Sequence, residues 1–250
     1  MNSLPPLSGR PPPGFRDLIP VFALSLASGA VSLGYQVMWF RLYGHRFGST
    51  NLTFLVVLVC FIGGLGLGSM VSRRLSTGLA RMRILAAPLG LVGVLETAIA
   101  FTALMTLLVD PSGVADVGAF PYVQDVRGIF RPVLALRAEV GVAALLMLVP
   151  TFLMGTTFPI LCHAFRDRAV FPSELYAWNT LGACAGVLAA EFLLLPYLGQ
   201  SQSFLVLVAV NLVVGIAFYG LSRGGLGARA EPASARSEER RVGKECIVKC

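Results

Sequence analysis

Six long apolar runs, separated by short polar connections, dominate the hydrophobic pattern of this chain. Each is close to the roughly 20 residues that are needed to cross the hydrocarbon core of a bilayer. No water is available there to the backbone, so each run is predicted to be an α-helix that satisfies its own hydrogen bonds. The pattern therefore predicts an all-α fold, a polytopic membrane helix bundle of about six transmembrane helices. The runs cover 18–40, 52–71, 84–109, 140–162, 175–198 and 203–221.

Arginines in the short connections predict the orientation of the bundle, because cytoplasmic loops are enriched in Lys and Arg. Most of them flank the runs on one side, while the opposite side carries fewer, balanced by acidic residues. Both termini are therefore predicted to be cytoplasmic. The arginines on that side are Arg10, Arg16, Arg73, Arg74, Arg81, Arg83, Arg166, Arg168, Arg223 and Arg229.

The same pattern divides the chain into domains. A Pro-rich cytoplasmic leader, 1–17, precedes a six-helix transmembrane domain, 18–222, and a linker follows over 223–235. A long outer loop, 110–139, mixes aromatic and charged residues. Such a mixture is typical of a short helix lying on the membrane interface, and a plain solvated loop is an equal alternative.

Composition supports a membrane protein, because hydrophobic residues make up 56% of the chain and charged residues only 13%, against about 25% in soluble domains. The net charge of +7 is explained by topology, and no basic groove with interleaved aromatic residues indicates nucleic acid as a partner. The five cysteines form neither a disulfide framework nor a metal-binding pattern. The expected partner is the lipid bilayer.

Two carboxylates lie inside the apolar runs, Glu96 in the third and Glu191 in the fifth. A charged side chain at the centre of a bilayer costs about 3 kcal/mol on insertion scales, so it is expected to face protein or water. The functional interpretation is a cation or proton site. The structural alternative is a satisfied interhelical hydrogen bond, and the sequence leaves both open.

Other polar side chains extend this candidate intramembrane site. Tyr35 and Gln36 lie near the outer end of the first run, where an outer vestibule competes with an ordinary aromatic belt. Asn179 lies just inside the fifth run, where an amide usually links helices.

The fourth run contains two prolines, Pro150 and Pro159, around Thr156 and Thr157. Each proline removes a backbone donor. The hypothesis is a helix break that exposes carbonyl groups to a cavity, as in transporters. The alternative is a simple kink, with the threonine hydroxyls bonded to the backbone.

Glycines four residues apart, Gly64 with Gly68 and Gly182 with Gly186, predict helix packing, since they open one helix face to a neighbour. Three runs in each half mean that an internal duplication would be inverted. No residue-by-residue match between the halves supports one. A homo-oligomer formed through these glycine faces is a further possibility.

Four blocks of sequence resemble a known family. They read "SGAVSLGYQVMWFRLYGHRFGS", "FIGGLGLGS", "VPTFLMGTTFPIL" and "LYAWNTLGACAGVLAAEFLLLPYLG". Together they resemble the membrane domain of the fused membrane-spermidine synthase family of bacteria. The resemblance implies an inner-membrane domain followed by a cytoplasmic aminopropyltransferase domain, which transfers an aminopropyl group from decarboxylated S-adenosylmethionine to putrescine or a similar amine.

That catalytic domain has no counterpart in this chain. No catalytic, cofactor-binding or metal-binding residue is therefore assigned, and the chain alone is not expected to be an enzyme. The charged ending "RSEERRVGKEC" is identified as the translation of a short-read sequencing adapter. Residues 236–250 are expected to be an artefact of sequence assembly.

The leading hypothesis is a membrane domain that anchors an aminopropyltransferase and handles its polyamine substrate or product. Glu96, Glu191, Gln36 and the segment between Pro150 and Pro159 are the candidate carriers of a polycation. One alternative is a self-sufficient cation or small-molecule transporter. Another is a purely structural anchor whose polar residues only join helices.

Overall fold

The fold, a computed structural model, describes residues 15–47, 51–81, 88–109, 130–165 and 171–224. The described residues form helices and contain no strand, so the all-α prediction is confirmed for them. The predicted leader up to residue 14, most of the outer loop, the linker and the tail lie outside the described residues. The helices are α1 (Phe15–Phe47), α2 (Asn51–Arg81), α3 (Pro88–Leu108), α4 (Phe130–Ala164), α5 (Phe171–Ala189) and α6 (Leu195–Arg223), with a π-helical turn (Ala190–Leu194) between α5 and α6.

Five of the described helical segments are long and apolar enough to cross a membrane. Large apolar side chains remain exposed on their outer faces, as on α2, where Met70 is 79% exposed. Such faces suit a lipid environment, which needs no polar cover. The segments are Leu18–His45, Thr53–Leu75, Pro88–Leu108, Val140–Ala164 and Pro172–Arg223.

The last of these segments is 52 residues long because α5, the π-helical turn and α6 follow one another without a gap. It is not a straight rod, since Gly199 has non-helical backbone angles, φ 74° and ψ 176°. Only glycine adopts this region without strain. The break falls at the polar "GQSQ" connection that separates the fifth and sixth apolar runs.

Contacts with α1 show that the chain reverses direction around this glycine. Before it, α5 runs parallel to α1, because Ser25 contacts Leu175 and the later residue Arg41 contacts Glu191.

After the glycine, the direction is opposite. Tyr35 packs on Phe204 with ring centroids 5.3 Å apart, and the earlier residue Gly34 faces the later residue Leu207. The part of α6 after Gly199 is therefore antiparallel to α1, and it forms a hairpin with α5 and the π-helical turn.

Glycines lie where the helices approach most closely. Gly64 and Gly68 of α2 face the backbone and side chains of α4, and Gly182 and Gly186 of α5 face the backbone of α1. A Cβ atom at any of these positions would overlap the neighbouring helix. These glycine faces are thus occupied by helices of the same chain.

Helix α4 continues through both Pro150 and Pro159, which does not show the hypothesised break and fits the alternative in which threonine hydroxyls bond to the backbone. Threonine hydroxyl groups of α4 donate hydrogen bonds to backbone carbonyl groups of the same helix. Thr156 donates to Leu153 at 2.7 Å and Thr157 donates to Met154 at 2.8 Å. A proline is tolerated within a membrane helix when neighbouring helices and threonine side chains supply the hydrogen bonds that the proline disrupts.

Two apolar clusters fill the interior, one towards each end of the bundle. One contains Tyr35, Trp39 and Phe204, and the other contains Leu89 and Phe218. Buried polar side chains of α1, α3, α4 and α6 lie between them. This polar layer consists of Ser25, Ser28, Glu96, Thr157 and Asn211.

Candidate functional site

Glu96 occupies the centre of the polar layer and is only 3% exposed. It lies near the middle of α3, whose other buried residues are apolar or small apart from Thr106. Ser28 of α1 donates a hydrogen bond to one carboxylate oxygen at 2.6 Å. Asn211 of α6 donates to the other oxygen at 2.6 Å and to the Glu96 carbonyl at 3.1 Å. The carboxylate therefore joins three helices.

Small residues bring these helices close enough for such contacts. Gly93 of α3 faces the backbone of Gly215 in α6, and each glycine would clash with the other helix if it carried a Cβ atom. Asn211 lies one turn before Gly215 on the buried face of α6. The close approach thus positions its amide over the Glu96 carboxylate.

A cavity adjoins the carboxylate on the side of the α6 carboxyl end. It is lined by both polar and apolar side chains from five helices. None of the described residues that line it is basic, so the Glu96 carboxylate has no cationic side chain beside it. The lining residues are Ser25, Ser28, Val92, Glu96, Thr157, Phe158, Leu161, Asn179 and Phe218.

The candidate residues from the sequence divide between this site and other parts of the bundle. Glu96, Thr157 and Asn179 line the cavity. Thr156 is fully buried in α4 but does not line it. Gln36 is half-buried on α1 and likewise lies outside the lining.

Glu191 is separated from this site. It lies in the π-helical turn and forms an ion pair with Arg41 of α1. Both side chains are partly exposed, at 34% and 46%, and they lie towards the opposite end of the bundle from the cavity. The two intramembrane carboxylates therefore do not form one site.

Tyr35 lies in the apolar cluster beyond Glu96. Its ring stacks on Trp39 at 5.6 Å and contacts Phe204, while Trp39 donates to Thr106 at 2.7 Å. The Tyr35 hydroxyl is buried and has no hydrogen-bond partner among the described residues. These aromatic rings close the bundle interior on that side.

Sequence reasoning missed Ser25 and Ser28 as members of the site. Serine is common in membrane helices, so its presence alone gives no signal. The informative feature would have been the spacing of Ser25, Ser28 and Ser32, which places three hydroxyls on one side of α1.

The described residues contain no group of three His, Cys, Asp or Glu side chains that could hold a metal ion. Ser, Asn and Thr oxygens surround the single carboxylate instead. Such a site can accept hydrogen bonds from a cationic group or neutralise its charge.

Comparison with known proteins gives one informative similarity. The chain is 28% identical over 221 residues to polyamine aminopropyltransferase 2 of Streptomyces coelicolor. The similarity covers 84% of this chain and 35% of that protein, so the chain spans about a third of the relative's length. No family model matches the chain, and no solved structure matches it.

Proposed function

We propose that the chain is the membrane-integral domain of a polyamine aminopropyltransferase-like protein of the bacterial inner membrane. The observation that carries this proposal is the similarity to polyamine aminopropyltransferase 2, which extends over 84% of the chain. The helices that are long and apolar enough to span a bilayer support the membrane location.

In this proposal the helices anchor an aminopropyltransferase domain on the cytoplasmic side. That domain uses decarboxylated S-adenosylmethionine and an amine, and its residues are not in this chain. Only about a third of the relative aligns here, which leaves room in such a protein for a catalytic domain. The chain contributes membrane attachment and, through Glu96, a place for a cationic amine.

Six crossings with both termini in the cytoplasm fit this arrangement. The reversal at Gly199 divides the 52-residue segment into two helices, each long enough for one crossing. Arg73 and Arg74 at the end of α2 and Arg223 at the end of α6 then lie on the cytoplasmic side. The α6 carboxyl end leads towards the proposed catalytic domain.

Fractionation of cells that express the full-length gene product tests this function. We expect aminopropyltransferase activity in the membrane fraction, with putrescine as acceptor, and its release into the soluble fraction when the codons for residues 1–222 are deleted. A full-length product that stays in the membrane without any aminopropyl transfer would contradict the proposal.

A second function, a cation carrier without enzymatic activity, is favoured by one observation. Glu96 is a buried carboxylate beside a cavity, and intramembrane ionisable residues commonly mark ion or substrate pathways. Uptake of radiolabelled putrescine into proteoliposomes that contain only this chain would support it. A purely structural anchor predicts no uptake and no loss of stability in Glu96→Gln.

A further inference from the structure

The six helices repeat one packing arrangement twice. Helix α2 of the first half packs on α4 of the second half through Gly64 and Gly68. Helix α5 of the second half packs on α1 of the first half through Gly182 and Gly186. If α1, α2 and α3 correspond to α4, α5 and α6 in that order, then the α2–α4 pair corresponds to the α5–α1 pair. The α3 and α6 pair is its own counterpart, and it crosses at Gly93.

Hydroxyl groups follow the same arrangement. Ser25 of α1 donates to a carbonyl group of α5, and Thr151 of α4 donates to a carbonyl group of α2 at 3.3 Å. Each hydroxyl lies four residues before a glycine, Gly29 or Gly155, that also contacts the partner helix.

The two halves have opposite orientations because α3 and α6 are antiparallel. Glu96 contacts Asn211, whereas the earlier residue Gly93 contacts the later residue Gly215. The arrangement is therefore that of an inverted repeat. In transporters built this way the substrate site lies between the halves, near the middle of the membrane.

The cavity beside Glu96 occupies that position. Ser25, Ser28, Val92 and Glu96 come from the first half, and the remaining lining residues, Thr157 among them, come from the second. We propose that this cavity binds the primary ammonium end of a linear aliphatic amine.

Hydrogen bonding inside the cavity favours a ligand that donates. Ser25 gives its proton to the Leu175 carbonyl group, Ser28 to Glu96, and Thr157 to the Met154 carbonyl group. These three hydroxyls therefore offer only oxygen lone pairs to a ligand. A primary ammonium group carries three donors and no acceptor, so it complements them and the carboxylate.

The apolar part of the lining indicates what is attached to the ammonium group. Val92, Leu161 and the rings of Phe158 and Phe218 line the cavity. The cavity is small, about 10 Å³, which is room for one water-sized group such as an ammonium head. The methylene group next to that head would contact these apolar side chains, and an aromatic face also attracts a nearby cation. A bare metal ion would leave this surface unused.

The cavity lies on one side of Glu96 along three helices. On α3, Val92 comes before Glu96, and on α6, Phe218 comes after Asn211. On α1, Ser25 and Ser28 come before Tyr35. Beyond Glu96, the packed rings of Tyr35, Trp39 and Phe204 are fully buried. Towards the α6 carboxyl end, Leu89, Leu161 and Phe218 are buried as well, so apolar clusters flank the cavity on both sides along the bundle.

Direct binding tests the ligand class. The full chain, held in lipid nanodiscs, is titrated with radiolabelled putrescine, 1,4-diaminobutane, at constant ionic strength. We expect saturable binding that Glu96→Gln weakens on the order of tenfold or more, because the charge that pairs with the ammonium group is lost. The matched control is Glu191→Gln, which alters a carboxylate outside the cavity and should leave binding unchanged. Equal binding by the wild type and Glu96→Gln would overturn the proposal.

Cysteine accessibility tests the site independently of Glu96. Phe158→Cys and, as a control beyond the carboxylate, Ala103→Cys are placed in a chain whose native cysteines are replaced by alanine. A charged thiol reagent should modify Phe158→Cys, putrescine should slow that reaction, and Ala103→Cys should not react. Protection by sodium ions but not by putrescine, or no slowing of the Phe158→Cys reaction by putrescine, would overturn the proposal.

This inference rests on the proposed function only for the choice of amine. Absence of aminopropyltransferase activity in the full-length product would contradict the proposed function and leave the binding result standing. Loss of specific putrescine binding while the enzymatic activity persists would overturn the cavity assignment alone.

Discussion

Glu96 shows how the bundle accommodates a buried carboxylate at the level of single residues. Its two oxygens accept hydrogen bonds from Ser28 and Asn211, which come from helices on different sides of α3. Leaving either oxygen without a donor in this interior would cost more than the hydrogen bond itself contributes. The three side chains therefore act as a unit.

We expect Asn211→Leu to lower the free energy of unfolding by about 1–3 kcal/mol, because it removes every donor that α6 offers to Glu96. Unfolding in mixed micelles by increasing amounts of a denaturing detergent measures this change. The control is Val213→Leu, on the exposed side of the same helix, which should have little effect. Unfolding curves of Asn211→Leu that match those of the wild type would show that the amide does not stabilise the carboxylate.

A double variant separates loss of the partner from loss of packing. Combined with Glu96→Gln, Asn211→Leu should cost less than it does alone, since a neutral amide suffers less from a missing donor than a carboxylate does. Additive effects of the two substitutions would contradict the coupling between them.

The sequence identified the carboxylate but not its surroundings. Glu96 was recognisable because a charge in an apolar run is unusual. Its partner Ser28 lies 68 positions away, and Arg41 lies 150 positions from Glu191. Which polar groups meet at such separations depends on the register of packed helices, which a single sequence does not contain.

At the scale of helices, the packing role of a glycine can be tested by comparing substitutions at two nearby glycines of the same helix. We expect Gly64→Ala in α2 to destabilise the protein by about 1–3 kcal/mol, the usual cost of overpacking, because the added methyl group would overlap Thr151. The matched control is Gly66→Ala, where nothing lies within 4 Å. Thermal unfolding of the two variants in the same detergent measures the difference, and equal stability of both would contradict the packing role of Gly64.

The reversal at Gly199, near the start of α6, depends on one backbone conformation. We expect Gly199→Ala to cost about 1–3 kcal/mol, since a side chain is strained at φ 74° and ψ 176°. Gly220→Ala is the control, because Gly220 is helical and has open space around it. Stability measurements on both variants test this, and an unchanged Gly199→Ala would mean that the chain reverses without needing glycine.

The residue pattern predicted helices where apolar composition alone determines them. It did not predict features that depend on the neighbouring helices. The apolar runs predicted the helices well, and the polar connection near Gly199 coincides with the reversal. For Pro150 and Pro159 the residue pattern left a helix break and a simple kink open, and α4 continues through both residues. The π-helical turn at Ala190–Leu194 left no recognisable signal in the residue pattern.

For the whole molecule, the repeated packing was invisible in the sequence although the helix count allowed it. Helix crossings need small residues at the points of contact, and they do not require the rest of the two helices to match. Gly64 and Gly68 correspond to Gly182 and Gly186 in position, while the surrounding apolar residues differ freely. The arrangement of the halves therefore emerges only from the contacts.

The number of crossings is the prediction that belongs to the molecule as a whole. If the hairpin at Gly199 places α5 and α6 side by side across the bilayer, Gln202 and Ser222 lie on opposite sides of the membrane. Their separation along α6 corresponds to about 30 Å of helix, the thickness of the hydrocarbon core.

Single cysteines at these two positions, in a chain without native cysteines, test this topology with a membrane-impermeant thiol reagent. We expect Gln202→Cys to react in intact cells and Ser222→Cys to react only in inverted vesicles, because Arg223 favours the cytoplasmic side. Reaction of both from the same side would mean that α6 does not cross the bilayer. The α6 carboxyl end would then not lead towards the cytoplasm, and the proposed connection of this domain to a catalytic domain there would fail with it.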